Sequence, residues 1–216
     1  MKRQITLCMF IAGLSALLFL SAPGCGAVRQ HPEPMNYYVL HYDPPDKALP
    51  SGITEPLIVH VNRLEALAPY NTNHMIYAKN PYHRARYSYH QWMVKPADML
   101  TELLVRDIQL AGFVDAVAAG TSRRDASFRV EGEIVDFYED DEKQRWEAVL
   151  TLRLALIRIH EGGRKEKTLF RRTYSERVVM EKNNPHSLAR SMSKAMEAVS
   201  GQFMANMAES LQHQIP

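Results

Sequence analysis

Cys25 is the residue whose position in the sequence most directly predicts a chemical reaction. It follows two basic residues, Lys2 and Arg3, and an apolar stretch from Ile5 to Leu20, which together have the anatomy of a secretory signal peptide. Residues 1–24 are therefore predicted to be a lipoprotein signal peptide. After its removal, we expect Cys25 to carry a diacylglycerol group on its thiol and an acyl group on its new amino terminus.

Two other outcomes stay open at this cysteine. The apolar stretch could remain as an anchor, although it is shorter than the ~20 apolar residues of a spanning helix. Alternatively, ordinary cleavage could leave Cys25 as a free thiol, because Ala22 stands where the lipid-modifying enzymes usually meet Leu. We favour acylation, with residues 25–35 as a tether containing Pro32 and Pro34.

The rest of the chain offers little catalytic chemistry. It has no G-x-S-x-G, P-loop or G-x-G-x-x-G sequence, and the other cysteine, Cys8, is lost with the signal. The histidines lack the spacing of metal ligands, and His83 and His90 are more typical of structural positions. The acidic run Glu139–Glu142 is interpreted as a solvated hairpin tip rather than a Ca²⁺ loop. The sequence therefore predicts no enzyme, no catalytic residue, no metal and no cofactor other than the lipid.

Aromatic and basic residues are concentrated between positions 70 and 92. This mixture is typical of protein interfaces, although tyrosines packed at a sheet edge would give the same pattern. Nucleic acid is not expected, because removing Lys2 and Arg3 with the signal leaves 24 basic and 24 acidic residues. The predicted partner-binding residues are Tyr70, Tyr77, Tyr82, Arg84, Arg86, Tyr87, Tyr89 and Trp92.

The elements that position these residues follow from hydrophobic periodicity. Alternating apolar residues predict a long three-strand antiparallel meander over residues 127–138, 147–156 and 167–179. Pro96 and Pro185 each begin a helix with one apolar stripe. Shorter strands are predicted at Asn36–Tyr42, Leu57–Asn62, Met75–Lys79 and Ala85–Trp92. We therefore expect residues 36–216 to form a single α+β domain with a mostly antiparallel sheet and both helices on one face.

Several features occur along the chain in one order: the lipoprotein cysteine, Tyr37-Tyr38, the buried strand Ile58-Val59-x-Val61, Ile76-Tyr77, Trp92 with Pro96, Gly132-x-Ile134 with Phe137, and a C-terminal amphipathic helix. In this order the chain resembles the ABC-type transport auxiliary lipoproteins. The resemblance implies a non-enzymatic component of an MCE-type lipid transport system in a Gram-negative envelope.

The implied partners are a periplasm-spanning MCE-domain protein with its ABC transporter, and copies of the chain itself in a ring. Gly26, in place of the Asp that retains lipoproteins at the inner membrane, favours an outer-membrane lipoprotein that faces the periplasm. Two alternatives are a periplasmic lipid-binding carrier and an activator or assembly factor of a cell-envelope complex.

Overall fold

The computed structural model describes residues 33–44, 57–119, 126–142, 145–160 and 165–212. Cys25 and most of the predicted tether lie outside these residues. The strands are β1 (Asn36–Tyr38), β2 (Ile58–Val61), β3 (Glu65–Ala66), β4 (His74–Ala78), β5 (Ala85–Trp92), β6 (Ala116–Ala119), β7 (Phe128–Asp140), β8 (Glu147–Ile159) and β9 (Glu166–Val179). The helices are α1 (Pro96–Leu110) and α2 (Pro185–Gln212), and a 3₁₀ turn covers Ala68–Tyr70.

The described strands form one mixed sheet centred on β7. One edge of β7 pairs antiparallel with β8, which pairs antiparallel with β9, as the alternation predicted. The other edge pairs in parallel with three short strands in succession, β2, β3 and β4. Parallel pairs also join β1 to β5 and β2 to β6. The expectation of a mostly antiparallel sheet was therefore wrong, whereas the α+β class is confirmed.

The two helices cover the face of the sheet to which β8 contributes its apolar row. Helix α1 lies against β2, β3 and β6, and helix α2 lies against β8 and β9. Helix α1 ends where Gly112 takes a φ of 79°, and Asn184 caps α2 by accepting the Ser187 backbone N–H at 2.8 Å. The row that faces the helices is fully buried and consists of Ala148, Leu150, Leu152, Leu154 and Leu156. We refer to this side of the sheet as the helix face and to the other as the outer face.

A buried carboxylate joins both helices to the chain that follows β1. Asp107 of α1 is fully buried and accepts hydrogen bonds from the Tyr42 hydroxyl at 2.6 Å and the Ser200 hydroxyl at 2.5 Å. The neighbouring Arg106 guanidinium contacts Asp107 at 2.7 Å and donates to the Tyr42 carbonyl at 3.0 Å. Burial and the Asp107 contact raise the pKa of Tyr42 well above its ordinary value. A buried charge needs such partners, and these contacts fix the two helices side by side.

Gly132 marks the tightest packing in the centre of the sheet. A Cβ atom at this position would lie 2.4 Å from Leu154 Cδ2, 2.8 Å from Leu64 Cδ2 and 2.9 Å from the Arg153 carbonyl oxygen. Both leucines are fully buried, so neither can move freely away. The absence of a side chain at Gly132 therefore lets the loop after β2 close over β7 and β8.

Candidate docking surface

The predicted partner-binding residues lie on or beside the hairpin of β4 and β5. Its connection is a tight turn in which Asn80 accepts the Tyr82 backbone N–H at 3.0 Å through Oδ1 and the His83 backbone N–H at 3.2 Å through its carbonyl. Tyr82 stands at the tip of this turn and is 99% exposed. The hydrogen-bonded backbone of this turn therefore holds the large Tyr82 side chain out in solvent.

On the outer face, Arg84 of the hairpin packs against an aromatic pair formed by Tyr70 of the 3₁₀ turn and Tyr138 of β7. Tyr70 is buried, stacks on Tyr138 with ring centroids 6.1 Å apart, and donates its hydroxyl to Asp136 at 3.3 Å. Burial raises the pKa of the Tyr70 phenol. The Arg84 guanidinium lies 4.2 Å from the centre of the Tyr138 ring, which is a cation–π contact. Arg84 therefore links the turn to β7 while remaining exposed.

On the helix face, Tyr87 binds a buried carboxylate. Glu139 is 1% exposed, and its Oε2 accepts the Tyr87 hydroxyl at 2.8 Å. With its amide oriented to satisfy both neighbours, Asn183 donates to Glu139 Oε1 at 3.1 Å and accepts from Trp146 Nε1 at 2.8 Å. Burial raises the pKa of Glu139 to about 7, although the hydrogen bond from Tyr87 opposes the shift. Burial and the Glu139 charge likewise raise the pKa of Tyr87 far above its ordinary value.

Further aromatic contacts extend this cluster along the hairpin. The Tyr77 ring meets Tyr87 edge to face at 5.2 Å, and Tyr87 meets His90 at 5.9 Å. His90 in turn lies 3.1 Å from the Tyr38 hydroxyl of β1 through Nδ1. Tyr77 and Tyr87 are therefore half-buried and act as a rigid base for the exposed part of the hairpin.

Trp92 does not lie on the surface. It is 1% exposed and packs on Phe137 with ring centroids 5.1 Å apart, because it belongs to the core-facing end of β5. Together with the buried Tyr70, it is unavailable to a partner in this structure. The predicted residues that are exposed are Tyr82, Arg84, Arg86 and Tyr89, and we call these four the hairpin surface.

Sequence reasoning did not identify the residues that support the hairpin surface. Glu139 was interpreted as part of a solvated tip, but a register shift between Ile134 and Asp136 turns Phe137 and Glu139 toward the helix face. The signal was present in the sequence, since Ile134 and Phe137 break the two-residue alternation that Phe128 begins. No comparable signal marks Asn183, which bonds Glu139 from the loop before α2, or Trp146, which bonds Asn183 from the connection before β8.

The outer face also contains a concavity of about 340 Å³. Arg153 pairs with Glu133 at 2.6 Å in its wall, and Arg63 pairs with Asp98 at 2.5 Å beside it. The lining is thus charged and largely paired. Among the described residues, no group of three or more His, Cys, Asp or Glu side chains is placed to hold a metal ion. In the same part of the chain, no helix has the length and apolar character needed to cross a membrane.

Residues 38–203 match the family model described as "ABC-type transport auxiliary lipoprotein component". A solved structure of a Xanthomonas campestris protein from the DUF330 family superposes with a TM-score of 0.71 at 18% identity, covering 82% of this chain and 97% of the other. A hypothetical protein from Chlamydia trachomatis gives a TM-score of 0.51 at 9% identity, covering 71% and 96%. At these identities the structures show a shared fold. A search of curated proteins gave no significant match.

Proposed function

Because the chain belongs to the ABC-type transport auxiliary lipoprotein family, we propose that it is a lipid-anchored, non-enzymatic component of an envelope lipid transport system. In this proposal it docks a periplasm-spanning MCE-domain protein, and thereby that protein's ABC transporter, at the outer membrane. Lipids on Cys25 hold the chain on the periplasmic side of that membrane. Several copies arranged as a ring would match a symmetric MCE assembly.

The observation that carries the docking proposal is the hairpin surface. Tyr82 is 99% exposed at a turn whose backbone is fixed by Asn80, and Arg86 and Tyr89 follow it on β5. Tyrosine and arginine are the residue types that contribute most to binding at protein interfaces, because they bury large areas with few rotatable bonds or make several hydrogen bonds. A surface of this kind, held on a rigid base, is suited to binding another protein.

The carrier alternative receives less support. A carrier needs an apolar cavity that takes up acyl chains, because water must be excluded from them. The concavity on the outer face is lined instead by charged side chains, including Glu131, Arg153 and Arg171. An activator or assembly factor would also use the hairpin surface, so the partner must be identified directly.

The test is capture of partners from envelope membranes with residues 25–216, comparing the parent chain with a triple variant, Tyr82→Ala, Arg86→Ala and Tyr89→Ala. Since all three side chains are exposed, the variant should fold as the parent does. Affinity for an MCE-domain protein is expected to fall about tenfold or more. Tyr37→Ala, a change at another exposed tyrosine, is the matched control and should leave the affinity unchanged.

The outcomes separate the two parts of the proposal. Failure of the parent chain to capture any MCE-domain protein would refute the function. Equal capture by the parent and the triple variant would refute the hairpin surface and leave the function standing.

A further inference from the structure

Apolar side chains are exposed together where the described chain begins. Met35, Tyr37 and Val39 alternate with the partly or fully buried Tyr38 and Leu40, so the three point away from the core. Strand β1 pairs in parallel with β5, with Tyr37 opposite Gln91 and Tyr38 opposite Trp92.

The end of β5 continues this apolar group. The Met93 backbone N–H donates to the Tyr38 carbonyl at 2.8 Å, which places Met93 beside Val39, and Val94 follows. The five side chains Met35, Tyr37, Val39, Met93 and Val94 are between 38% and 56% exposed. We call them the β1 ridge.

A ridge of this kind is unlike single exposed apolar residues, which are common on protein surfaces. Neighbouring apolar side chains that remain in water favour contact with another apolar phase, because burying them removes their surface from water. The surface that covers these side chains must therefore be one that lies within their reach in the functioning protein.

The chain that precedes the ridge identifies this occupant. Only nine residues lie between Cys25 and Met35, and the ten steps of chain that join them extend at most about 35 Å. A lipid on Cys25 therefore keeps the ridge close to a bilayer at all times. Tyr is favoured at the membrane–water boundary, and the exposed Lys95 beside Val94 can contact lipid phosphates.

We propose that the β1 ridge rests on the lipid surface that holds the anchor, with Tyr37 at the boundary between headgroups and acyl chains. This inference rests on the proposed anchor at Cys25 but not on the docking of any protein. Contact between the ridge and the lipid gives the domain a fixed orientation on the membrane. The turn that carries Tyr82 lies beyond the other end of β5, whose span from Gln91 to Ala85 is about 20 Å, so the turn lies far along the strand from the ridge.

The experiment uses residues 25–216, which contain the compact unit Pro34–Pro216 and in which Cys25 is the sole cysteine. The Cys25 thiol is coupled to a maleimide phospholipid in phosphatidylcholine vesicles whose acyl chains are brominated, because bromine quenches tryptophan at short range. Two single variants, Tyr37→Trp and Tyr82→Trp, are compared after subtracting the emission of the coupled parent chain. Both changes replace an exposed tyrosine, so they form a matched pair.

We expect the Tyr37→Trp variant to lose emission in brominated vesicles and to shift to shorter wavelength, and the Tyr82→Trp variant to keep both its intensity and its wavelength. Equal quenching of the two variants, greater quenching at position 82, or no quenching at position 37 would each overturn the proposal. Thermal unfolding of both variants verifies that they fold. The vesicles contain no partner protein and coupling replaces biological acylation, so neither a failed docking proposal nor an unprocessed Cys25 affects the result.

Discussion

Replacing Glu139 by Gln should remove a pH dependence of stability without disturbing the surrounding hydrogen bonds. In the native chain, the carboxylate accepts from the Tyr87 hydroxyl and from the Asn183 amide. In Glu139→Gln, the carbonyl oxygen can still accept from Asn183, while the new NH₂ group can donate to the Tyr87 oxygen, because a hydroxyl both donates and accepts. The variant therefore isolates the ionisation of Glu139.

The expected magnitude follows from the pKa of Glu139, which burial raises from its ordinary 4.5 to about 7. The folded state then holds this proton more tightly than the unfolded state. The resulting stability is fully present below pH 4.5, is lost as the pH rises toward 7, and changes no further above that. Between pH 5 and pH 8 the loss amounts to about 2.5 kcal/mol in the free energy of unfolding, given a pKa of about 7. In a domain of this size, that corresponds to a fall of roughly 5–10 °C in Tm.

The assay is urea unfolding of residues 25–216 at a series of pH values from 5 to 8, for the parent chain and Glu139→Gln. The two should have similar stability at pH 5, and the variant should become the more stable of the two by about 2.5 kcal/mol at pH 8. Glu197→Gln, a change on the exposed side of α2, is the control. It measures how much an exposed carboxylate contributes to the change of the unfolding free energy with pH. Parallel stability curves for the parent and Glu139→Gln would refute the reasoning, since they would mean that Glu139 titrates alike in the folded and unfolded states.

Three further predictions concern two glycines of the fold and the predicted lipid anchor. Gly132→Ala should lower the free energy of unfolding by about 1–3 kcal/mol, because the new Cβ would overlap Leu154 and Leu64. Gly201→Ala, in α2, should raise the free energy of unfolding by about 0.5–1 kcal/mol, because the new Cβ would meet nothing within 4 Å beyond the adjoining backbone of its own helix. Urea unfolding measures both, and a neutral Gly132→Ala would contradict the packing argument. Radiolabelled palmitate should enter the full chain in cells and be absent from Cys25→Ser; label that persists in the variant would show that Cys25 is not the acylated residue.

The sequence predicted best those helices and strands whose own residues carry a periodic or terminal signal. Strand β5 has the predicted bounds, and α1 and α2 begin at the predicted prolines, because proline at the first helical position and a regular apolar stripe are local signals. The parallel pairing of β2, β3 and β4 along β7 was missed, since pairing depends on residues that are distant in the chain. Strand β6, with the sequence Ala-Val-Ala-Ala, was also missed because alanine has little preference for strands.

The composition of the hairpin could be read from the sequence, but the exposure of its residues could not. Tyr82 and Trp92 both lie in a segment rich in aromatic residues, yet one is 99% exposed and the other 1%. The difference arises because Trp92 meets Phe137 from β7, whereas Tyr82 stands on a turn beyond the sheet. A pattern of residue types therefore located the candidate surface, and tertiary contacts decided which side chains belong to it.

The parallel pairing of β1 and β5 has a mechanical consequence. A force directed along β1 from its N-terminal end loads the hydrogen bonds to β5 in shear, so the bonds share the force and must break together. Beyond β1, the same force reaches Tyr42, whose hydroxyl is bound to Asp107 between α1 and α2. A force that enters through β1 is thus distributed over the sheet and both helices, so that no single contact carries it.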